Sequence, residues 1–174
     1  SLTESNLKLW YPMQDGHRGQ QSYILDGANT GLGDNVVDDS DFALTGTQAE
    51  STSGTYWTTA AGWTISGEKA HVDYASTVGL TQTIPLSVGI TYFVEFTISN
   101  YVSGTLQIQF GGAVIGSGSA DGTFSFYKTS TVTSATLYCY AISTPEFSID
   151  NVSVKPINDK NHATTVFYGD EQIS

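Results

Sequence analysis

An alternation of apolar and polar residues with a period of two runs from Ile65 to Val154, and it constrains the fold more than any other feature of the sequence. Side chains of a β-strand point alternately to opposite faces, so this period indicates strands with one buried and one wet face. No window of ten residues in this region holds a helical stripe. We expect the clearest apolar series to form the core: Val94, Phe96, Ile98, Leu106, Ile108, Leu137 and Cys139.

Short turn signals separate the predicted strands at intervals of roughly 8–12 residues. They are Ser66–Gly67, Val88–Gly89, Ser103–Gly104, Gly111–Gly112, Gly116–Ser117–Gly118 and Asp121–Gly122. About eight antiparallel strands with such turns are typical of a β-sandwich or barrel, and their number fits a jelly roll. The sequence therefore predicts an all-β fold, an antiparallel β-sandwich jelly roll.

The two ends of the chain lack this alternation. We expect residues 1–35 to form a linker-like N-terminal arm, residues 36–156 the jelly-roll module, and residues 157–174 a C-terminal arm. The stretch Gly33–Val37 is echoed by Gly169–Ile173, which favours a tandem array whose next module would begin near the C-terminus. Five positions are a short match, and coincidence is the alternative.

The charge balance excludes several kinds of partner. The 174 residues carry 6 Lys plus Arg and 17 Asp plus Glu, for a net charge of −11. A chain this acidic is a poor ligand for nucleic acid, anionic membranes and sulfated or uronic-acid-rich glycans. With 20 Ser and 23 Thr but 13% charged residues, the composition favours an extracellular or particle-surface β protein. No apolar run approaches the length of a membrane span.

Four stretches in order resemble the galactose-binding-domain-like carbohydrate-binding modules, the jelly rolls often appended to glycosidases. They are Asp39–Phe42, Gly62–Gly67, Leu80–Ile84 and Phe147–Val154, and the resemblance covers about 115 residues. It implies a β-sandwich, and it places Trp63 in the core.

The segments from Leu9 to Gly27 and from Asn158 to Glu171 look like the linkers that join such modules in bacteriophage structural proteins, particularly tail-associated ones. This likeness implies a virion-surface protein with neighbouring modules in the same polypeptide. It also fits an N-terminus without the layout of a signal peptide, because a phage protein reaches the outside by lysis.

Aromatic residues are the first candidates for sugar contacts. Tyr56 and Trp57 lie in a Ser/Thr/Gly-rich stretch where no strand period demands burial, so their rings are available to stack on a pyranose; a plug over the sandwich edge is the alternative. Tyr138 and Tyr140 point away from Leu137 and Cys139, about 7 Å apart on the outer face of one strand. They form either a sugar platform or ordinary cross-strand packing.

Gln107 and Gln109 stand on the wet face of their own predicted strand. A primary amide offers two donors and an acceptor, which suits vicinal sugar hydroxyls. Solvated polar positions of a β-strand are the alternative explanation.

The family resemblance also implies a structural calcium ion between the opening motif and the closing strand. Asp150 matches the closing position and Asp41 lies within the opening motif, so these two are the expected metal ligands. Ala43 replaces the family's Glu, a strong oxygen ligand. Calcium takes 6–8 oxygens, and Asp39 and backbone carbonyls could partly compensate.

No catalytic motif is present. His17, His71 and His162 share no metal-ligand spacing, and no nucleophile elbow or phosphate loop occurs. We therefore expect a non-enzymatic module that recognises a neutral glycan or cell-surface polysaccharide on a host. The competing hypothesis is a structural spacer or assembly module of a fibre that binds no glycan.

Overall fold

The computed structural model describes residues 23–25, 31–157 and 162–164, and these contain β-strands and no helix. The strands are β1 (Tyr23–Leu25), β2 (Thr58–Thr59), β3 (Trp63–Ser66), β4 (Lys69–Asp73), β5 (Val78–Pro85), β6 (Thr91–Phe110), β7 (Ala113–Gly118), β8 (Gly122–Thr129), β9 (Ser134–Pro156) and β10 (His162–Thr164). No apolar helix of membrane-spanning length occurs among the described residues.

The chain divides into two compact units. The larger one comprises residues 34–157 and contains β2 to β9. The smaller one comprises residues 1–33 and 158–174; its described strands, β1 and β10, pair antiparallel with Ile24 opposite Ala163. Neither segment alternates long enough for its sequence to predict a strand.

Two long strands, β6 and β9, bend in the middle and contribute to both layers of the larger unit. The front sheet has the order β2-β5-β9-β6-β7 and uses residues 134–142 of β9 and 105–110 of β6. The back sheet has the order β3-β4-β9-β6-β8 and uses residues 146–156 and 91–99. Every pairing is antiparallel, and the predicted β-sandwich is confirmed.

The bend in β6 corrects one predicted turn. Ser103–Gly104 does not end a strand, because β6 runs through it from Thr91 to Phe110. Gly104 has φ 90°, and a Cβ there would lie 2.5 Å from Pro145 Cα and 2.8 Å from the Ile142 carbonyl oxygen. Glycine is thus required where the bends of β6 and β9 cross, rather than for a hairpin turn.

A second predicted turn, Gly116–Ser117–Gly118, lies inside β7. A Cβ on Gly116 would overlap the Phe126 ring at 2.3 Å, and one on Gly118 would approach Phe124 to 2.8 Å. These glycines make room for aromatic rings of β8, so they mark the close approach of β7 to those rings and not a turn.

The alternation predicts the core correctly. All seven residues of the predicted core series are buried, and Trp63 is 0% exposed. Cys139 is also fully buried, and desolvation raises the pKa of its thiol to about 12. It is therefore a protonated core residue at neutral pH.

Candidate functional site

The strand register brings four predicted site residues onto the outer face of the front sheet. Gln109 of β6 lies opposite Tyr138 of β9, and Gln107 lies opposite Tyr140. The intervening residues Leu137, Cys139 and Ile108 are buried, so the tyrosines and glutamines share the opposite face. We call this surface the tyrosine face. It is continued by Thr81 on β5, opposite Tyr138, and by Ser117 on β7, opposite Gln107.

The two tyrosine rings stack on each other. Their centroids are 5.0 Å apart and their planes 5° from parallel, which is closer than the expected spacing of about 7 Å along the strand. Each ring therefore covers part of one face of the other, and a flat two-ring platform is not formed. The Tyr140 ring lies over Gly79 of β5, where a Cβ would lie 3.4 Å from Tyr140 Cε1. Glycine at this position leaves that side of the ring uncovered by a side chain.

The two glutamine side chains bond to each other, since Gln109 Nε2 donates to Gln107 Oε1 at 3.4 Å. Both residues are half-buried. Within residues 31–157, Gln107 Nε2 and Gln109 Oε1 have no further protein partner. The pair consequently presents donors and an acceptor beside the aromatic rings, the combination that vicinal hydroxyls require.

The prediction that Trp57 contacts sugar is wrong. Trp57 is 0% exposed, its Nε1 donates to the Asp39 carbonyl oxygen at 3.0 Å, and its ring packs at 5.1 Å from that of Phe42. The reason is the alternation that starts in β2, where Thr58 faces out and Thr59 in, so Trp57 takes an inward position. The indole closes the core beneath the loop, as the alternative interpretation held.

Tyr56 is 38% exposed and lines an open cleft of about 320 Å³ at the β2 edge of the front sheet. The remaining lining residues, which the sequence did not single out, are Asp38, Thr55, Thr58, Thr81, Gln82, Thr83 and Thr136. They come from distant parts of the chain. Thr81 lies opposite Tyr138 in the β5–β9 pairing, and Thr136 precedes Tyr138 by two residues on the same face of β9. The cleft therefore continues the tyrosine face.

The backbone of Asp38 is held by a buried side chain. Asp38 N donates to Gln82 Oε1 at 2.8 Å, and Gln82 Nε2 donates to the Asp38 carbonyl oxygen at 2.9 Å. Gln82 itself is 6% exposed. The position of Asp38 at the cleft is thereby fixed while its side chain remains exposed.

The expected calcium ligands do not gather into an evident site. Asp41 is exposed and accepts from Ala43 N at 3.3 Å, and Asp150 accepts from Asn151 N at 2.7 Å. No three His, Cys, Asp or Glu side chains of the described residues converge on one point.

Asp39 differs from these two. It is 8% exposed, and Oδ1 accepts from Leu44 N at 2.6 Å, while Oδ2 is buried without a partner. Thr45 Oγ1, next to Leu44, is also buried without a partner. Gln48 Oε1 is a third buried side-chain oxygen without a partner among the described residues, and Asp39 Oδ2 and Thr45 Oγ1 are the two that belong to the loop of residues 39–45.

His71 has a structural partner set on the back sheet. Its Nδ1 lies 2.8 Å from Ser148 Oγ, and its Nε2 lies 3.0 Å from the Ser66 carbonyl oxygen. Because a carbonyl only accepts, Nε2 carries a proton, and in the neutral ring Ser148 then donates to Nδ1. The ring ties the β3–β4 hairpin to β9. The side chains of His17 and His162 lie outside the described residues.

No protein-family model and no curated protein sequence matches the chain. Among solved structures, the arabinose-bound MgGH51 α-L-arabinofuranosidase aligns over 77% of this chain and 28% of its own, at 14% identity and a TM-score of 0.51. A structure described as "CBM4 structure and function" aligns over 69% of this chain and 99% of its own, at 13% identity and a TM-score of 0.48.

The enzymatically active domain of bacteriophage CBA120 tailspike protein 4 aligns over 71% of this chain and 21% of its own, at 14% identity and a TM-score of 0.42. At such identities a likeness concerns the fold alone. The arabinofuranosidase match, with its TM-score of 0.51, agrees with the β-sandwich described above.

Proposed function

We propose that the protein is a non-catalytic module that binds a neutral glycan on the tyrosine face. The observation that carries the proposal is the register of β6 with β9, which sets Gln109 and Gln107 directly beside the stacked Tyr138 and Tyr140 rings. Aromatic carbon and uncharged amides are the two kinds of group that a sugar ring needs, one for its C–H face and one for its hydroxyls.

Binding would combine stacking on the free side of a tyrosine ring with hydrogen bonds to the amide pair. Because Tyr138 and Tyr140 partly cover each other, one sugar unit rather than two stacks at the pair. One ring contact and a few hydrogen bonds, less the cost of ordering the glycan, give a dissociation constant of about 1 mM. Repetition of the module along a polypeptide would raise the overall avidity.

The chemistry of the surface supports recognition rather than hydrolysis. Glycoside hydrolysis uses a pair of carboxylates flanking the scissile bond. Among the described residues that form the tyrosine face and line the cleft, Asp38 carries the one carboxylate. The acidic, hydroxyl-rich composition supports a location outside the cell or on a virion. The proposed partner is a host-surface polysaccharide, and similar modules would accompany this one in the same polypeptide.

We further propose that the loop of residues 39–45 holds a structural calcium ion. The buried Asp39 Oδ2 and Thr45 Oγ1, both without protein partners, would be the side-chain ligands, in place of the expected Asp41 and Asp150. The ion would neutralise a buried carboxylate and tie down the loop beneath which Trp57 packs.

A glycan array tests the proposal against the structural-spacer alternative. The wild type should bind neutral glycans, and the Tyr138→Ala, Tyr140→Ala double variant should not. Tyr127→Ala is the control, because Tyr127 is 66% exposed on the back sheet and belongs to an aromatic pair with Phe93, tilted at 53°. Absence of binding to every neutral glycan would favour the spacer, and equal binding by the double variant would show that the glycan binds elsewhere than on the tyrosine face.

A further inference from the structure

We infer that the cleft beside Tyr56 is a charge-selective subsite that takes one pyranose unit without a carboxylate group. This inference rests on the proposed function, since the cleft extends the tyrosine face, but it concerns the residues that line the cleft rather than the Tyr138–Tyr140 pair. Its volume of about 320 Å³ lies at the small end of the ligand-pocket range of about 300–1,000 Å³, and it suits a single ring.

The walls of the cleft match the two sides of a sugar. Tyr56 supplies the only aromatic ring among the lining residues, and five threonines supply hydroxyl groups: Thr55, Thr58, Thr81, Thr83 and Thr136. Within residues 31–157, no hydrogen bond to another protein group engages these side-chain hydroxyls or the Asp38 carboxylate. They are therefore available to a ligand.

Asp38 is the charged group of the cleft and decides its selectivity. An ionised carboxylate accepts hydrogen bonds from two sugar hydroxyls but repels a second carboxylate at close range. No ion pair within the described part of the chain neutralises it. Because Gln82 holds both backbone groups of Asp38, the carboxylate is presented from a fixed point and the discrimination does not depend on a mobile loop.

The subsite lies one step from the tyrosine pair. Thr58, Thr81 and Tyr138 follow one another across β2, β5 and β9, so the Thr81 side of the cleft is one strand spacing from Tyr138 and the Thr58 side is two, roughly 10 Å. A short glycan running across the strands would therefore reach both, with its selected unit in the cleft and its neighbour on the rings.

The test compares sugars that differ in the group carried by C5, which is charged in the uronates and neutral in the others. The probes are methyl glycosides of gluco-, galacto- and mannopyranose, the matching uronic acids and the methyl esters of those uronic acids. Titrations are followed by the backbone amide NMR signals of Thr58, Thr81, Thr83 and Thr136. In the wild type, at least one hexoside and the methyl ester of the matching uronic acid should shift these signals. The uronate itself should bind at least fivefold more weakly than this ester, because its carboxylate is repelled by the exposed carboxylate of Asp38.

Asp38→Asn keeps the backbone contacts to Gln82 and removes the charge. In this variant the affinities for ester and uronate should differ by no more than about twofold. Hexoside binding should weaken about fivefold, because a neutral amide oxygen is a weaker hydrogen-bond acceptor than a carboxylate. Asp73→Asn, which removes one exposed charge from β4, is the control and should change neither value.

Three results would overturn the subsite: equal affinity for uronate and ester in the wild type, equal effects of Asp38→Asn and Asp73→Asn, or cleft signals that no probe shifts. Shifts confined to Tyr138 and Tyr140 would overturn it while leaving the proposed function in place. Failure of the proposed function has a different signature, because no neutral glycan on the array would then be bound.

Discussion

The Gln82 side chain closes on both backbone groups of Asp38, accepting from the nitrogen at 2.8 Å and donating to the oxygen at 2.9 Å. The two residues are 44 positions apart, so this pair joins the opening loop to the middle of β5. The same two hydrogen bonds therefore stabilise the edge of the sandwich and fix the position of Asp38 in the proposed cleft.

Replacing this amide should weaken the protein measurably. Gln82→Leu removes both hydrogen bonds, and because Asp38 is exposed its backbone groups can turn to water, so we expect a loss of about 1–2 kcal/mol in the free energy of unfolding. Urea denaturation measures it. Gln109→Leu, whose amide makes one long bond on the outer face, should stay within about 0.5 kcal/mol of the wild type. Equal losses in the two variants would contradict a special role for Gln82.

Gly104 should be intolerant of any side chain. Gly104→Ala places a Cβ 2.5 Å from Pro145 Cα at a positive φ of 90°, and we expect a cost of about 3 kcal/mol or more. Gly89→Ala has a similar φ of 83° but no atom within 4 Å of the added Cβ, so it should cost about 1 kcal/mol. Thermal unfolding of both variants checks the difference, and similar values would show that the crossing of β6 and β9 relaxes readily.

The proposed calcium ion predicts a melting temperature that depends on the metal. A chelator should lower the melting temperature of the wild type and added calcium restore it, because a ligand that binds only the folded state stabilises it. Asp39→Asn should be insensitive to both treatments, whereas Asp41→Asn should respond like the wild type. An unchanged wild-type melting temperature would mean that Ala43 marks a lost site.

The buried thiol predicts a loss of stability in alkali. Burial raises the pKa of Cys139 from 9.0 to about 12, so the unfolded chain releases this proton at lower pH than the folded protein does. The contribution is complete below pH 9 and is lost as the pH rises from about 9 to about 12, with a full size on the order of 4 kcal/mol.

Cys139→Ala isolates this contribution, because the variant differs from the wild type by the absence of the thiol. Between pH 8 and pH 10 the wild type should lose about 1 kcal/mol more unfolding free energy than the variant. Parallel pH profiles would show that the thiol ionises without unfolding.

Local periodicity predicted which way the strand residues point, and so it identified the inward Leu137 and Cys139 and the outward tyrosines. It did not reveal that Gln109 lies beside Tyr138, because register between strands depends on contacts far apart in sequence. Trp57 was misassigned because the alternation of a two-residue strand is too short to detect. Gln82, a polar residue between the inward Leu80 and Ile84, was a usable signal: a buried amide needs partners, and they proved to be the backbone of Asp38.

Isothermal titration of a neutral oligosaccharide selected on the array, at low and high salt, tests the central claim most directly. We expect the wild type to bind with a dissociation constant of about 1 mM that a tenfold increase in salt leaves unchanged, because no charge pairing contributes. Tyr127→Ala should bind equally well, and the Tyr138→Ala, Tyr140→Ala double variant should not bind. Retained binding by the double variant, or an affinity that falls steeply with salt, would contradict recognition of a neutral glycan by the tyrosine face.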